Sequence, residues 1–148
     1  MYTETTMSPY REHSAMRHYH EVGVEAQVTD ATPHRLVQML LDGAVARLAA
    51  AKGAMAAGET ARKAELIGRV INIVVNLRAA LDPDAGGELA ANLDALYEYM
   101  ERRLLEANLR NEPALLDEVS GLLRELQSGW RAIAETVDAA SAGTAVER

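Results

Sequence analysis

Cysteine and aromatic residues are scarce in this sequence of 148 residues. It contains no cysteine and no phenylalanine, and its aromatic residues are five tyrosines and one tryptophan. Without cysteine, no disulfide framework, thiolate nucleophile or cysteine-based zinc site is expected. The apolar 49% of the chain is therefore mainly Leu, Val, Ile, Met and Ala. Because alanine has the highest helix propensity and strands favour aromatic and β-branched residues, this composition favours an all-α fold.

Positive charge and long apolar runs are also in short supply. The 15 Lys and Arg residues face 22 Asp and Glu residues, which leaves a net charge of −7. Nucleic-acid-binding domains usually carry an excess of Lys and Arg on one face, so nucleic acid is not an expected partner. No apolar run approaches the roughly 18–20 residues of a membrane span, and the N-terminus lacks the apolar segment of a secretory signal. We therefore expect no membrane insertion and a cytoplasmic location.

Apolar residues recur at steps of three and four in four separate stretches, the spacing of one helix face. The predicted helices cover residues 33–57, 60–81, 88–110 and 112–139. Thr32 and Pro33 are typical of an N-cap and a first helical residue. Residues 82–87, which contain Pro83 and two glycines, form the clearest predicted loop. Because the connections are short, we predict an antiparallel up-down-up-down four-helix bundle.

Two terminal segments lack the apolar periodicity of the bundle. We predict that residues 1–31 form a mobile, short and partly helical N-terminal arm, and that residues 32–140 form the bundle. The remaining residues, 141–148, are predicted to be a disordered tail, because no apolar stripe continues into them.

Candidate catalytic and metal-binding motifs are weak. All four histidines (His13, His18, His20 and His34) lie in the first quarter of the chain, whereas a di-iron bundle needs Glu-x-x-His motifs in its core. Chelation of a metal by His13, His18 and His20 remains open, although a solvated polar segment is favoured. No serine lies in a nucleophile elbow, and no glycine-rich loop has Walker form. We predict no enzyme activity, no cofactor and no metal site.

Two asparagines stand out in the second predicted helix. Asn72 and Asn76 are four residues apart and therefore share one helix face. They alternate with the apolar residues Ile71, Val75 and Leu77. The pair has two interpretations: buried or half-buried amides that bond a neighbouring helix, or amides that bond the backbone of a bound peptide.

Three glycines, Gly43, Gly68 and Gly121, fall inside predicted helices. Each costs roughly 0.5–1 kcal/mol relative to alanine, so a structural reason is expected. Close helix crossing is the favoured interpretation, and shallow grooves for an added helix are the alternative.

Several blocks of sequence are similar to one known family. They are YHEVGVEAQV from Tyr19, ATPHRLVQMLLDGA from Ala31, the Asn72 and Asn76 segment, GGELAANL from Gly86, LYEYMERRLLEANLRN from Leu96, and Trp130. In this order they resemble the flagellar secretion chaperones, the FliS family. The resemblance spans about residues 14 to 136, almost the whole predicted bundle.

This resemblance implies a chaperone that works in the cytoplasm without ATP. Its client would be the C-terminal segment of newly made flagellin, which cannot polymerise while it is covered. The complex of chaperone and client would then engage a component of the flagellar type III export gate. The residues alone also leave another function open, a helical-bundle adaptor or regulator that binds another flagellar protein or an anti-sigma factor.

The resemblance also implies partner-binding residues. Met16 and Tyr19 match the positions of an N-terminal segment that folds back on the bundle and competes with the client. The second-helix residues Ile71, Asn72, Val75, Asn76 and Leu77 match a region implicated in client binding. Three further residues, Leu36, Met39 and Leu40, flank the place where the arm meets the bundle.

Overall fold

The computed structural model describes the backbone of residues 32–147 and the side chains of residues 32–133. Four helices follow in order: α1 (Pro33–Ala56), α2 (Thr60–Ala79), α3 (Pro83–Arg110) and α4 (Pro113–Glu147). Each helix packs against two others, in the pairs α1 with α2, α2 with α3, α3 with α4, and α4 with α1. The predicted all-α four-helix bundle is confirmed.

Contacts at the two ends of α1 show that α1 and α4 run antiparallel. Lys52 near the end of α1 forms a salt bridge with Asp117 at the start of α4, at 2.9 Å. At the other end of the same pair, the His34 ring stacks on Trp130 with 4.3 Å between ring centroids. The Trp130 Nε1 donates a hydrogen bond of 2.9 Å to the His34 carbonyl oxygen. The two Trp130 contacts fix the first turn of α1 against the middle of α4.

The helix boundaries follow local capping signals. The Thr32 side chain accepts a hydrogen bond from the Arg35 N–H, and Pro33 follows as the first helical residue, as predicted. The Asp82 Oδ1 accepts from the N–H groups of Asp84 and Ala85 and caps α3 in the same way. Asn111 ends α3 in the left-handed conformation, with φ of 54°, which asparagine tolerates better than most residues.

The structure differs from the predicted bounds by more than two residues at two places, the start of α3 and the end of α4. α3 begins at Pro83 rather than at residue 88, but Gly87 interrupts it with φ of 55° and ψ of −128°. The segment predicted as a loop is therefore a capped helical turn followed by a kink. The backbone of α4 is helical to Glu147, beyond the predicted end at residue 139. Its last residues lack an apolar stripe but are rich in alanine, which favours helix.

The core is aliphatic, as the composition indicates. Its fully buried side chains include Leu48, Ile67, Val70, Met100, Leu104, Leu116 and Leu123. Of the aromatic residues in the described part of the chain, only Tyr97 is buried. Burying a side chain of this size contributes about 1.5–3 kcal/mol to the free energy of folding, so these buried side chains supply most of the stabilisation of the bundle.

Lys63 is a buried cation at the interface of α2 and α3. It is 3% exposed, and its Nζ donates to the Asn108 carbonyl oxygen at 2.9 Å and to the Asn111 Oδ1 at 2.6 Å. Both acceptors lie at the C-terminal end of α3, where unsatisfied carbonyl groups attract positive charge. Lys63 therefore attaches α2 to the turn between α3 and α4.

The mid-helix glycines do not mark close helix crossings where the structure describes their surroundings. A Cβ atom added at Gly68 or Gly121 would meet no neighbouring atom within 4 Å. The predicted close crossing is wrong at these two positions, which face open space.

No helix among residues 32–147 is long and apolar enough to cross a membrane.

Candidate partner-binding groove

The groove between α1 and α2 contains an apolar cavity of about 380 Å³ at the end where α1 begins and α2 ends. We call it the apolar cavity; it is lined by Pro33, Leu36, Val37, Leu40, Asn76, Leu77, Ala79 and Ala80. These residues recur at helical spacing on the facing sides of the two helices. Four residues predicted from the sequence meet there, although two are on α1 and two on α2: Leu36, Leu40, Asn76 and Leu77.

Burial divides these four residues into a floor and a rim. Leu40 and Leu77 are each 4% exposed and belong to the bundle core. Leu36 and Asn76 are half-buried and form the rim. Asn76 contributes the only polar side chain among the lining residues. The cavity therefore offers an apolar surface with one amide at its edge, the combination that fixes the orientation of a bound segment.

Asn72 and Asn76 do not form a buried pair. Asn72 is exposed and Asn76 is half-buried, so the interpretation of two amides bonded inside the bundle is wrong for Asn72. Asn72 lies one turn before Asn76 on the same face of α2, outside the apolar cavity.

Ile71 and Val75 lie on the opposite flank of α2. They are seven and three residues before Arg78, and Arg78 Nε donates to the Asp94 Oδ1 of α3 at 2.6 Å. Because residues three, four and seven apart share a helix face, Ile71 and Val75 face the side of α3. Val75 is 43% exposed, and Ile71 is half-buried against the core. The predicted set is thus split between two surfaces.

The remaining predicted residues lie elsewhere. Met39 is 3% exposed and does not line the apolar cavity. Met16 and Tyr19 lie outside the described residues.

Four lining residues were not identified from the sequence. Pro33 and Val37 precede Leu40 at the helical spacing of seven and three residues, so the apolar periodicity of α1 contained a usable signal. Ala79 and Ala80 end α2, and their small side chains open the cavity. No feature of a single helix identified them, because alanine is common throughout this chain.

Charged side chains connect the helices on the other faces of the bundle. The Glu118 carboxylate of α4 accepts hydrogen bonds from the Tyr99 hydroxyl and from Arg103 Nε of α3. These two donors hold the pKa of Glu118 below its ordinary value. The hydrogen bond from Arg78 likewise lowers the pKa of Asp94. Both shifts arise from structural contacts between helices rather than from a catalytic arrangement.

Within the described residues, no group of three or more His, Cys, Asp or Glu side chains is arranged to hold a metal ion. Of the histidines, His34 stacks on Trp130, whereas the proposed chelating residues His13, His18 and His20 lie outside the described part of the chain.

Comparison with known proteins identifies close relatives of this bundle. The sequence model of the family Flagellar protein FliS matches residues 15–137. Flagellar secretion chaperone FliSB of Pseudomonas aeruginosa is 56% identical over 119 residues, which cover 80% of this chain and 94% of that protein. Flagellar secretion chaperone FliS of Salmonella typhimurium is 45% identical over 121 residues, covering 81% of this chain and 90% of that protein. The Escherichia coli FliS is 41% identical over 114 residues, covering 76% and 84%.

The family match includes three complete helices and α4 as far as residue 137, and it confirms the family that the sequence blocks indicate. The names of the relatives describe chaperones of flagellar secretion, a role that is not enzymatic. The chain therefore belongs to the FliS family, and its role is that of a flagellar export chaperone.

Proposed function

We propose that this export chaperone binds the C-terminal segment of flagellin and prevents its premature polymerisation. The supporting observation is the apolar cavity, because it joins Leu36, Leu40, Asn76 and Leu77 in a chain of the FliS family. The complex then engages a component of the flagellar type III export gate. We place these steps in the cytoplasm, where a client is made before it is exported.

The apolar cavity suits an amphipathic segment whose apolar residues enter the groove. Removing apolar surface from water contributes about 25 cal/mol per Å², and a segment that orders on binding loses part of this gain. The Asn76 amide has both a donor and an acceptor for the backbone of the segment. Binding of this type needs no ATP, because the client can be released when another site competes for it.

The N-terminal residues Met16 and Tyr19 are proposed to regulate this binding. Residue 32 leads directly into α1 at the mouth of the apolar cavity, so a preceding segment can reach the same groove. In this proposal the segment covers the groove in the free chaperone and is displaced by the client.

The direct test is calorimetric titration of the full-length chain with the C-terminal segment of flagellin from the same organism. We expect saturable binding, and absence of binding would refute the proposal. Titration with other late flagellar proteins and with an anti-sigma factor tests the alternative of an adaptor or regulator. Stronger binding of one of these proteins than of flagellin would favour that alternative.

The Asn76→Ala variant tests the role of the rim amide. Loss of one hydrogen bond to the client backbone is expected to weaken binding about two- to tenfold, with little change in thermal stability. The exposed Asn92 of α3 supplies a control, since Asn92→Ala removes an amide from a helix surface away from the groove. If Asn76→Ala loses stability in proportion to binding, Asn76 is a structural residue.

A further inference from the structure

A second concavity of about 460 Å³ lies in the groove between α1 and α2. We call it the arginine concavity; it is lined by Ala46, Arg47, Ala50, Arg62, Glu65, Leu66 and Arg69. The later half of α1 and the first half of α2 contribute these residues. The apolar cavity uses the opposite ends of the same two helices.

The two depressions lie along one groove. Leu40 and Arg47 are seven residues apart on α1, and Asn76 and Arg69 are seven residues apart on α2. Residues seven apart return to nearly the same helix face. At 1.5 Å per residue, seven residues correspond to about 10 Å, so one bound segment can reach both depressions.

The arginine concavity has a local excess of positive charge. Three arginines line it together with one carboxylate, Glu65, which forms a salt bridge with Arg69 at 3.0 Å. Arg62 is exposed and has no ion-pair partner among the described residues. This local positive charge contrasts with the net charge of −7 for the whole chain.

Two other arginines, Arg78 of α2 and Arg103 of α3, are balanced by carboxylates. Arg78 contacts two carboxylates, those of Asp94 and Glu101. Arg103 also contacts two, those of Glu106 and Glu118. Arg78 and Arg103 are thus neutralised within the bundle, whereas Arg62 is exposed beside the groove.

We infer that the arginine concavity binds acidic side chains of the same partner segment whose apolar residues enter the apolar cavity. The inference rests on the proposed function and adds a charge requirement to it. Guanidinium groups bind carboxylates through paired, charge-assisted hydrogen bonds. The apolar floor formed by Ala46, Ala50 and Leu66 suits the aliphatic stem of a glutamate or aspartate. In a helical partner, the carboxylate lies about seven residues from the apolar anchor; in an extended partner, about three.

The test compares two double variants with the same net charge. Arg62→Gln with Arg69→Gln removes two charges from the arginine concavity. Arg102→Gln with Arg124→Gln removes two charges from exposed positions on α3 and α4. In titrations with the flagellin C-terminal segment, the first pair is expected to weaken binding about three- to tenfold at low salt, and the control pair to leave it unchanged. The difference should shrink at high salt, because screening weakens exposed charge pairs.

Glu65→Gln tests the same inference in the opposite direction. It removes the carboxylate that competes for Arg69, so the variant is expected to bind the segment more tightly than the natural protein. A gain of affinity cannot result from partial unfolding. On the segment, replacing each acidic residue by its amide should weaken binding to the natural chaperone but not to the Arg62 and Arg69 variant.

The outcomes separate the two proposals. Failure of the natural chaperone to bind the segment refutes the proposed function. Binding that is unaffected by the Arg62 and Arg69 changes and by Glu65→Gln refutes the charge requirement alone. Equal weakening of binding by the control pair would show a dependence on net charge and would also refute the charge requirement. The charge requirement is likewise refuted if no acidic residue of the segment contributes to binding.

Discussion

At the scale of single residues, Glu118 shows how one carboxylate joins two helices. It accepts from the Tyr99 hydroxyl and from Arg103 Nε, which lies 2.9 Å from its Oε1. The Arg103 guanidinium also contacts Glu106 of its own helix. The hydrogen bond to Glu118 is the main reason why the pKa of Tyr99 is raised, and the bond from Tyr99 is the main reason why that of Glu118 is lowered.

The lowered pKa of Glu118 predicts a loss of stability in acid. In the folded protein the pKa of Glu118 lies below its ordinary value of 4.5. The ionised Glu118 therefore stabilises the fold at a pH well above 4.5, and this stabilisation is lost as the pH falls through the folded-state pKa. The unfolding free energy, measured by urea denaturation, should therefore decrease as the pH falls below about 5. Glu118→Gln should make this decrease smaller, because glutamine does not titrate.

The exposed Glu125 of α4 gives a matched control for this experiment. Glu125→Gln should leave the pH dependence as it is in the natural protein. If acid lowers the unfolding free energy of Glu118→Gln as much as that of the natural protein, the acid sensitivity does not arise from Glu118.

At the scale of helices, the start of α3 combines opposing local signals. Asp82 and Pro83 are an N-cap and a first helical residue, yet Gly87 four residues later has a conformation that residues with a Cβ rarely adopt. The sequence-based interpretation gave the two glycines priority and predicted a loop. In the structure, Asp82 and Pro83 begin a short capped turn, and Gly87 forms the kink that follows it.

The kink predicts opposite effects for two substitutions of glycine by alanine. At Gly87, with φ of 55°, alanine is expected to destabilise the bundle by about 1–3 kcal/mol through backbone strain. At Gly121 in α4, an added Cβ meets no neighbour within 4 Å, and alanine is expected to stabilise by about 0.5–1 kcal/mol. Urea denaturation of both variants measures the two changes. Equal stability of Gly87→Ala and the natural protein would show that α3 can straighten at this point.

The helix faces explain why the partner-binding residues were only partly predicted. Periodicity along α2 placed Asn72 and Asn76 on one face, and the resemblance to the family grouped both with Ile71 and Val75. The contact of Arg78 with Asp94 shows that Ile71 and Val75 belong to the flank beside α3. Spacing within one helix specifies which residues share a face, but it does not specify which neighbour that face meets.

At the scale of the whole molecule, the proposed competition couples the N-terminal segment to the groove. If the segment covers the groove for about 90% of the time, the apparent affinity for the client is reduced about tenfold. Tyr19→Ala should then speed client association and strengthen apparent binding by up to this factor. Stopped-flow mixing with the flagellin C-terminal segment, followed through Trp130 fluorescence or a labelled client, measures the rate.

Tyr10→Ala is the matched control for this measurement, since Tyr10 lies in the same segment but outside the residues that resemble the family. Association kinetics that are the same in Tyr19→Ala as in the natural protein would refute the competition.

The sequence by itself determined the class, number and order of the helices and the family. These depend on local information, namely apolar periodicity, proline and N-cap positions, and ordered sequence blocks. Only the tertiary structure decided that Leu36 and Leu40 meet Asn76 and Leu77, and that Arg47 joins Arg62 and Arg69. Proximity between residues of different helices depends on which helix faces pack together and at what register. That is a property of the assembled bundle, because helical spacing fixes positions along one helix and not between two.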